Sequence, residues 1–118
     1  MTSFGDSENI QFSKGEVVVL SFPFSDLSAS KRRPALIVAN LQGDDIILCQ
    51  ITSESKVDDY SLSPVETDFI EGNLSHISSI RPNKLFTADK SIILYKVGIL
   101  TEKKMQQVEE TLIKIFRN

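Results

Sequence analysis

Two short stretches carry the side chains best suited to chemistry, Ser30-Lys31-Arg32-Arg33-Pro34 and Ile51-Thr52-Ser53. Between them run two apolar segments, Ala35-Leu36-Ile37-Val38-Ala39 and Ile46-Ile47-Leu48-Cys49-Gln50, separated by turn residues at Gln42-Gly43-Asp44. Short apolar runs flanking a Gly-containing turn predict a β-hairpin. A regular hairpin centred on Gln42-Gly43 sets Arg33 opposite Thr52. A permanent cation and a hydroxyl then share one rim of a sheet. The guanidinium can grip two phosphate oxygens at once and the hydroxyl can donate to the same group, so the pair is suited to a phosphodiester.

Other ionisable side chains fit a chemical role less well. His76 is the only histidine, and strand alternation puts it on one face with Leu74, Ser78 and Ile80 while Arg81 lies on the other. It is read as a structural or surface group. Cys49, the single cysteine, sits mid-strand with no neighbour to lower its pKa and is read as a small buried residue. Glu54, Asp58 and Asp59 share a loop that lacks a Cys or His partner, so they are read as solvated carboxylates, with no metal site expected. Glu16 can orient Arg33 through a salt bridge or stand as an exposed strand-edge carboxylate. Phe24, in the first loop, can stack on a base or pack beneath the loop.

The elements that must position these groups are short. Glu16-Val17-Val18-Val19-Leu20-Ser21-Phe22 is β-branched and ends at Pro23, hence a strand. The hairpin strands are almost continuously apolar, which predicts cover on both faces. Tyr60 to Val65 alternates like a half-exposed strand, residues 67–73 read as a loop, and Leu74 to Ile80 reads as a strand stopped by the turn residues Arg81-Pro82-Asn83-Lys84. Leu85-Phe86-Thr87 reads equally as strand or helical turn. Ile92 to Leu100 is extended, with Gly98 at a bulge. Thr101 to Phe116 is a helix, with Thr101 as N-cap, an apolar stripe of Met105, Val108, Leu112 and Ile115, and Phe116 widening it. Several short strands with one C-terminal helix predict a mainly β fold, a strongly curved antiparallel sheet or partial barrel.

A length of 118 residues and 41% hydrophobic content bound this to one domain with a real core. Residues 1–13 are polar and read as a loose segment, leaving residues 14–118 as the domain. The formal net charge of −3 means that contact with nucleic acid must use a local patch, and Lys31-Arg32-Arg33 is the basic cluster. One cysteine fits a reducing compartment, and neither a membrane-length apolar run nor a signal peptide is seen, so a cytoplasmic location with no membrane contact is expected.

In order along the chain, Lys14-Gly15-Glu16-Val17-Val18 through Phe22-Pro23-Phe24, Lys31-Arg32-Arg33-Pro34-Ala35-Leu36-Ile37-Val38, Ile51-Thr52-Ser53, the run from Ser78 to Asp89, and Val97-Gly98-Ile99-Leu100 with the following helix resemble the MazF/PemK family of toxin endoribonucleases. The resemblance implies an SH3-like barrel, usually homodimeric. It also implies sequence-specific, metal-independent cutting of single-stranded RNA or mRNA without a cofactor, leaving 2′,3′-cyclic phosphate and 5′-hydroxyl ends, and a cognate antitoxin as partner. By resemblance, Arg33 and Thr52 occupy catalytic positions, with Ser53, Arg81, Asn83 and Glu16 as secondary candidates and Lys31, Arg32 and Phe24 as RNA-binding residues. Asn83 stands where some members have a catalytic aspartate, and an amide cannot take up a proton at neutral pH. That favours a mechanism built on Arg33 and Thr52. The alternative from another class is a non-catalytic nucleic-acid- or protein-binding module on the same barrel, including a gyrase-directed toxin.

Overall fold

The computed structural model describes residues 11–22, 31–53, 58–74 and 76–118. Six strands, β1 (Glu16–Phe22), β2 (Lys31–Asn40), β3 (Asp45–Thr52), β4 (Phe69–Gly72), β5 (Ser79–Asp89) and β6 (Ile93–Leu100), precede one helix, α1 (Glu102–Phe116). The strands form a single sheet in the order β4-β6-β1-β2-β3-β5, and every neighbouring pair is antiparallel. The sheet is strongly curved but open, with β4 and β5 at its edges. This is the mainly β, barrel-like architecture with a C-terminal helix that the sequence predicts.

The central strands are covered on both sides, as their continuous apolar runs require. Val18, Leu20, Ala35, Ile37, Ile46 and Leu48 form one buried cluster, against which Phe12 and Phe86 pack. Val17, Leu36, Val38, Cys49, Ile51, Ile80 and Leu100 form the other, and it is closed by Met105 and Val108 of α1. Thr101 caps that helix, its hydroxyl accepting from the Lys104 N–H at 3.1 Å. Leu112 packs partly on the same cluster, but Phe116 is 71% exposed and does not widen the buried stripe. It lies in the last turn, past the end of the sheet contact.

The hairpin reaches the expected register by an unexpected route. Its turn centres on Gly43, at φ 74°, with the Leu41 N–H donating to the Asp45 carbonyl at 3.0 Å. Asn40 and Ala39 therefore pair one position away from the predicted register, with Ile46 and Ile47. A one-residue bulge at Val38 absorbs the offset, and Ile37, Leu36 and Ala35 pair with Leu48, Cys49 and Gln50 as predicted.

Four local expectations do not hold. In the stretch read as a strand from Leu74 to Ile80, only Ser79 and Ile80 are strand among the described residues, so alternation does not set the face of His76. Residues 60–65 form no strand; Leu62 makes an isolated bridge to Ile80, and a 3₁₀ turn follows at Glu66–Asp68. Phe69–Gly72, read as loop, is the short edge strand β4. The supposed stop at Arg81-Pro82-Asn83-Lys84 lies inside β5, where the ladder jumps from Gln50↔Arg81 to Cys49↔Leu85. Pro82, Asn83 and Lys84 bulge out between those pairs, and a proline is tolerated there because no ladder bond needs its missing N–H. Leu85-Phe86-Thr87 is strand. β6 does bulge beside Gly98, at Val97. A Cβ on Gly98 would come within 2.9 Å of the Glu71 carbonyl oxygen and the Phe69 ring, so the close approach of β4 demands glycine there.

Candidate functional site

Alternation along β2 and β3 decides which groups meet. Arg33 pairs with Leu20 and shares a face with Ala35 and Ile37, on the side of the Val18–Leu20 cluster. Gln50 is paired with Ala35, so Thr52, two residues further, emerges on the same face at the same end of the sheet. Continuing the register beyond Ala35↔Gln50 brings Arg33 opposite Thr52. On the far side of β3, Thr52 pairs with Ser79 and Gln50 with Arg81, which makes Arg81 a diagonal neighbour of Thr52 on that face. The structure thus brings Arg33, Thr52 and Arg81 to one patch at one end of three adjacent strands.

The polar atoms of this patch are set for a further occupant. Thr52 Oγ1 and Arg81 Nε are buried and have no hydrogen-bond partner among the described residues. A buried hydroxyl left in that state costs stability unless something else satisfies it. Ser79, 2% exposed, lies beside Thr52, with its hydroxyl 3.5 Å from that of Ser63.

Arg81 is held by a carboxylate that sequence reasoning did not assign to the site. One oxygen of Asp58 accepts from the Arg81 guanidinium at 2.7 Å and from the Asn83 amide at 3.2 Å. Its other oxygen accepts from the Tyr60 N–H at 2.9 Å and from the Ser61 hydroxyl at 3.0 Å. These bonds, the Arg81 guanidinium first, hold the Asp58 carboxyl well below the usual carboxylate range. Asp58 is therefore a fixed anion and not a proton acceptor at neutral pH. A carboxylate does stand beside Asn83, supplied from a different loop, and its work is to orient the guanidinium.

Other candidates go elsewhere. Glu16 is at the opposite end of β1; its Oε1 accepts from the Ser13 N–H at 3.0 Å and its Oε2 lies 4.0 Å from Lys96 Nζ. Four residues separate it from Leu20, the partner of Arg33, a distance of roughly 13 Å along a strand, so the structure does not bring Glu16 to Arg33. Arg32 and Ser53, next to Arg33 and Thr52 in sequence, face the other way into a pocket with His76 and Ser78. Phe24 and the Lys31 side chain lie outside the described residues. Cys49 is fully buried, and burial pushes its thiol up to about 12, which makes it inert as a nucleophile.

A family model described as the PemK-like, MazF-like toxin of type II toxin-antitoxin systems matches residues 13–116, which include every element described above. The chain belongs to that family. Its fold is that of solved family structures despite low identity. MazE–MazF from Deinococcus radiodurans superposes with a TM-score of 0.72 at 17% identity, covering 89% of this chain and 95% of that one. An endoribonuclease in complex with its cognate antitoxin, from a mycobacterial species, gives 0.68 at 14% identity, covering 90% and 95%. The Mycobacterium tuberculosis toxin MazF-mt6 gives 0.66 at 16% identity, covering 86% and 96%. A comparison with curated protein sequences finds no match.

Proposed function

We propose that this chain is a toxin that cuts single-stranded RNA at short sequences, by a metal-independent route, at the patch formed by Arg33, Thr52 and Arg81. The observation that carries this reading is the convergence on one sheet face of two guanidinium groups and the Thr52 hydroxyl, whose buried oxygen has no hydrogen-bond partner among the described residues. Membership in a toxin family, and likeness to proteins described as endoribonucleases, support it.

In the reaction, a ribose 2′-oxygen attacks the adjacent phosphorus and forms the new O–P bond. The bond to the 5′-oxygen breaks, the 2′-hydroxyl proton is lost, and the leaving oxygen gains a proton. The products are a 2′,3′-cyclic phosphate and a 5′-hydroxyl, with no change of oxidation state. Negative charge grows on the phosphoryl oxygens in the transition state. Arg33, permanently charged, binds two of those oxygens. Thr52 Oγ–H donates to the same group, and Arg81, held by Asp58, supplies the second cation. Preoriented donors of this kind need no reorganisation as charge develops.

The same reading makes the chain a cytoplasmic protein, a homodimer, and the target of a cognate antitoxin that covers the patch. Among the described residues, no helix is long and apolar enough to cross a membrane. The deciding experiment is incubation of a mixed-sequence single-stranded RNA with the purified protein in EDTA, followed by mapping of the new ends. Cuts at a recurring short motif that vanish in Arg33→Ala are expected. Intact RNA across a broad panel of sequences would sink the proposal and favour a binding module on the same barrel.

A further inference from the structure

Behind the patch, on the opposite face of the same strands, lies a pocket of about 410 Å³. Its floor is apolar, from Val19, Pro34 and Val97, and its rim carries Arg32, Asn73, His76 and Tyr95. The volume falls within the range of about 300–1,000 Å³ that small-molecule sites occupy, and an apolar floor with a few convergent polar groups is their usual lining. Tyr95 is 47% exposed, so its ring is open to a stacking partner, and His76 and Arg32 are exposed as well. Neither Arg32 nor His76 has a role in the patch on the other face.

The position of this pocket follows from strand geometry. Arg32 and Arg33 are consecutive on β2, and Ser53 follows Thr52 at the end of β3. Consecutive strand residues point to opposite faces, with Cα atoms about 3.8 Å apart. Arg33 and Thr52 therefore face one side of the sheet end while Arg32 and Ser53 face the other, into the pocket. A flexible polyanion crossing this end meets a cation on each side. The chemistry of the rim is that of a base reader. An aromatic ring offers a stacking surface, an amide offers both donor and acceptor, an imidazole offers a further hydrogen-bonding edge, and a guanidinium suits the attached phosphate.

We infer that this pocket is a nucleotide subsite: it takes one base of single-stranded RNA flanking the cleaved bond, stacked on Tyr95 and read by Asn73 and His76, with Arg32 on that nucleotide's phosphate. The inference rests on the ribonuclease reading for the identity of its ligand. Its test does not depend on cutting, because the chain has one histidine, so the ring protons of His76 are a unique NMR reporter inside the pocket.

The four ribonucleoside 5′-monophosphates, and inorganic phosphate as a control, are titrated separately into the purified protein at one pH and ionic strength. A saturable shift of the His76 resonances with at least one nucleotide is expected, with none from inorganic phosphate at equal concentration. Tyr95→Ala, a half-exposed substitution, removes the shift; Tyr95→Phe, which keeps the stacking ring, retains it; Arg33→Ala retains it because that residue faces the other side. The inference is overturned if no nucleotide moves the resonances, if inorganic phosphate moves them equally, or if Tyr95→Ala responds like the parent. It is also overturned if the resonances move with protein concentration and not with nucleotide, which would make the pocket a contact between copies of the chain. Cutting of RNA by the same samples separates the two readings. RNA cut with His76 silent removes the subsite alone. A His76 response with RNA intact keeps the nucleotide site and removes the ribonuclease.

Discussion

Replacing Thr52 with valine should make the protein more stable and far less active. The two side chains have nearly the same shape, and valine suits a strand at least as well. The change removes a hydroxyl that is buried and has no hydrogen-bond partner among the described residues. A buried polar group in that condition costs about 1–3 kcal/mol. Replacing it with a methyl group recovers part of that cost, so a gain of about 1 kcal/mol is expected, which for a chain of this size raises Tm by roughly 4 °C. The same hydroxyl is the proposed donor to the phosphoryl oxygens. Removal of one such donor lowers a rate by about 10²–10³-fold. Thermal unfolding followed by circular dichroism, paired with single-turnover cutting of one RNA, measures both effects on one sample. Thr52→Ser, which keeps the donor, should cut within about tenfold of the parent. A Tm that falls in Thr52→Val would mean that the hydroxyl has a structural partner, and undiminished cutting would mean that it never touches substrate. Either result refutes the reasoning.

Asp58→Asn should cut more slowly, because Arg81 loses the anion that orients it. Its stability relative to the parent should also depend on pH with a definite sign. The folded-state pKa of Asp58 is depressed by the Arg81 guanidinium above all, so on acidification the unfolded chain takes up the proton first. The parent's advantage is therefore full above the ordinary value of 3.8 and is lost as pH falls through the depressed one, and urea titrations at pH 7 and pH 3 should show the gap narrowing. Cys49 should resist iodoacetamide in the native protein at pH 8 and react rapidly in urea, since its thiol is fully buried and pushed up to about 12; mass spectrometry reads the difference. Thr101→Ala should remove the cap bond to the Lys104 N–H and lower stability by about 1 kcal/mol, a drop of several degrees in Tm, with cutting unchanged.

What was legible in the sequence, and what was not, follows from the range of the interactions involved. β1, the hairpin and α1 announce themselves through unbroken β-branched runs and a capped 3.6-residue stripe, and these are signals that neighbouring residues carry by themselves. β4 does not, because Phe69–Gly72 is an exposed edge strand whose pairing exists only through β6, and its burial pattern gives a sequence reader nothing periodic. Arg81-Pro82-Asn83-Lys84 reads locally as a turn, and its backbone does leave the ladder, but the strand resumes at Leu85 because Cys49 and Leu48 are waiting to pair with Leu85 and Phe86. Asp58 was visible as one carboxylate among several; that it would reach Arg81 and Asn83 across more than twenty residues of chain is a tertiary fact.

The predicted pairing of Arg33 with Thr52 is the instructive case, since it depends on residue parity. A turn one position further along than expected, left uncorrected, would slide β2 against β3 by one residue and turn every following side chain of one strand to the other face. Arg32 would then share the face of Thr52, and Arg33 would look into the pocket. The bulge at Val38 restores parity before the functional end of the hairpin is reached. The bulge thus has a consequence for chemistry, since it decides which of two adjacent arginines meets the threonine. Deleting Val38 removes the extra residue itself and leaves the pairs on both sides of it, Ala39 with Ile47 and Ile37 with Leu48, in place, so Arg33 stays opposite Thr52 and a deletion variant that folds should still cut RNA at the parent's sites. A folded deletion variant that no longer cuts would show that the pairing of Arg33 with Thr52 is not what positions the site.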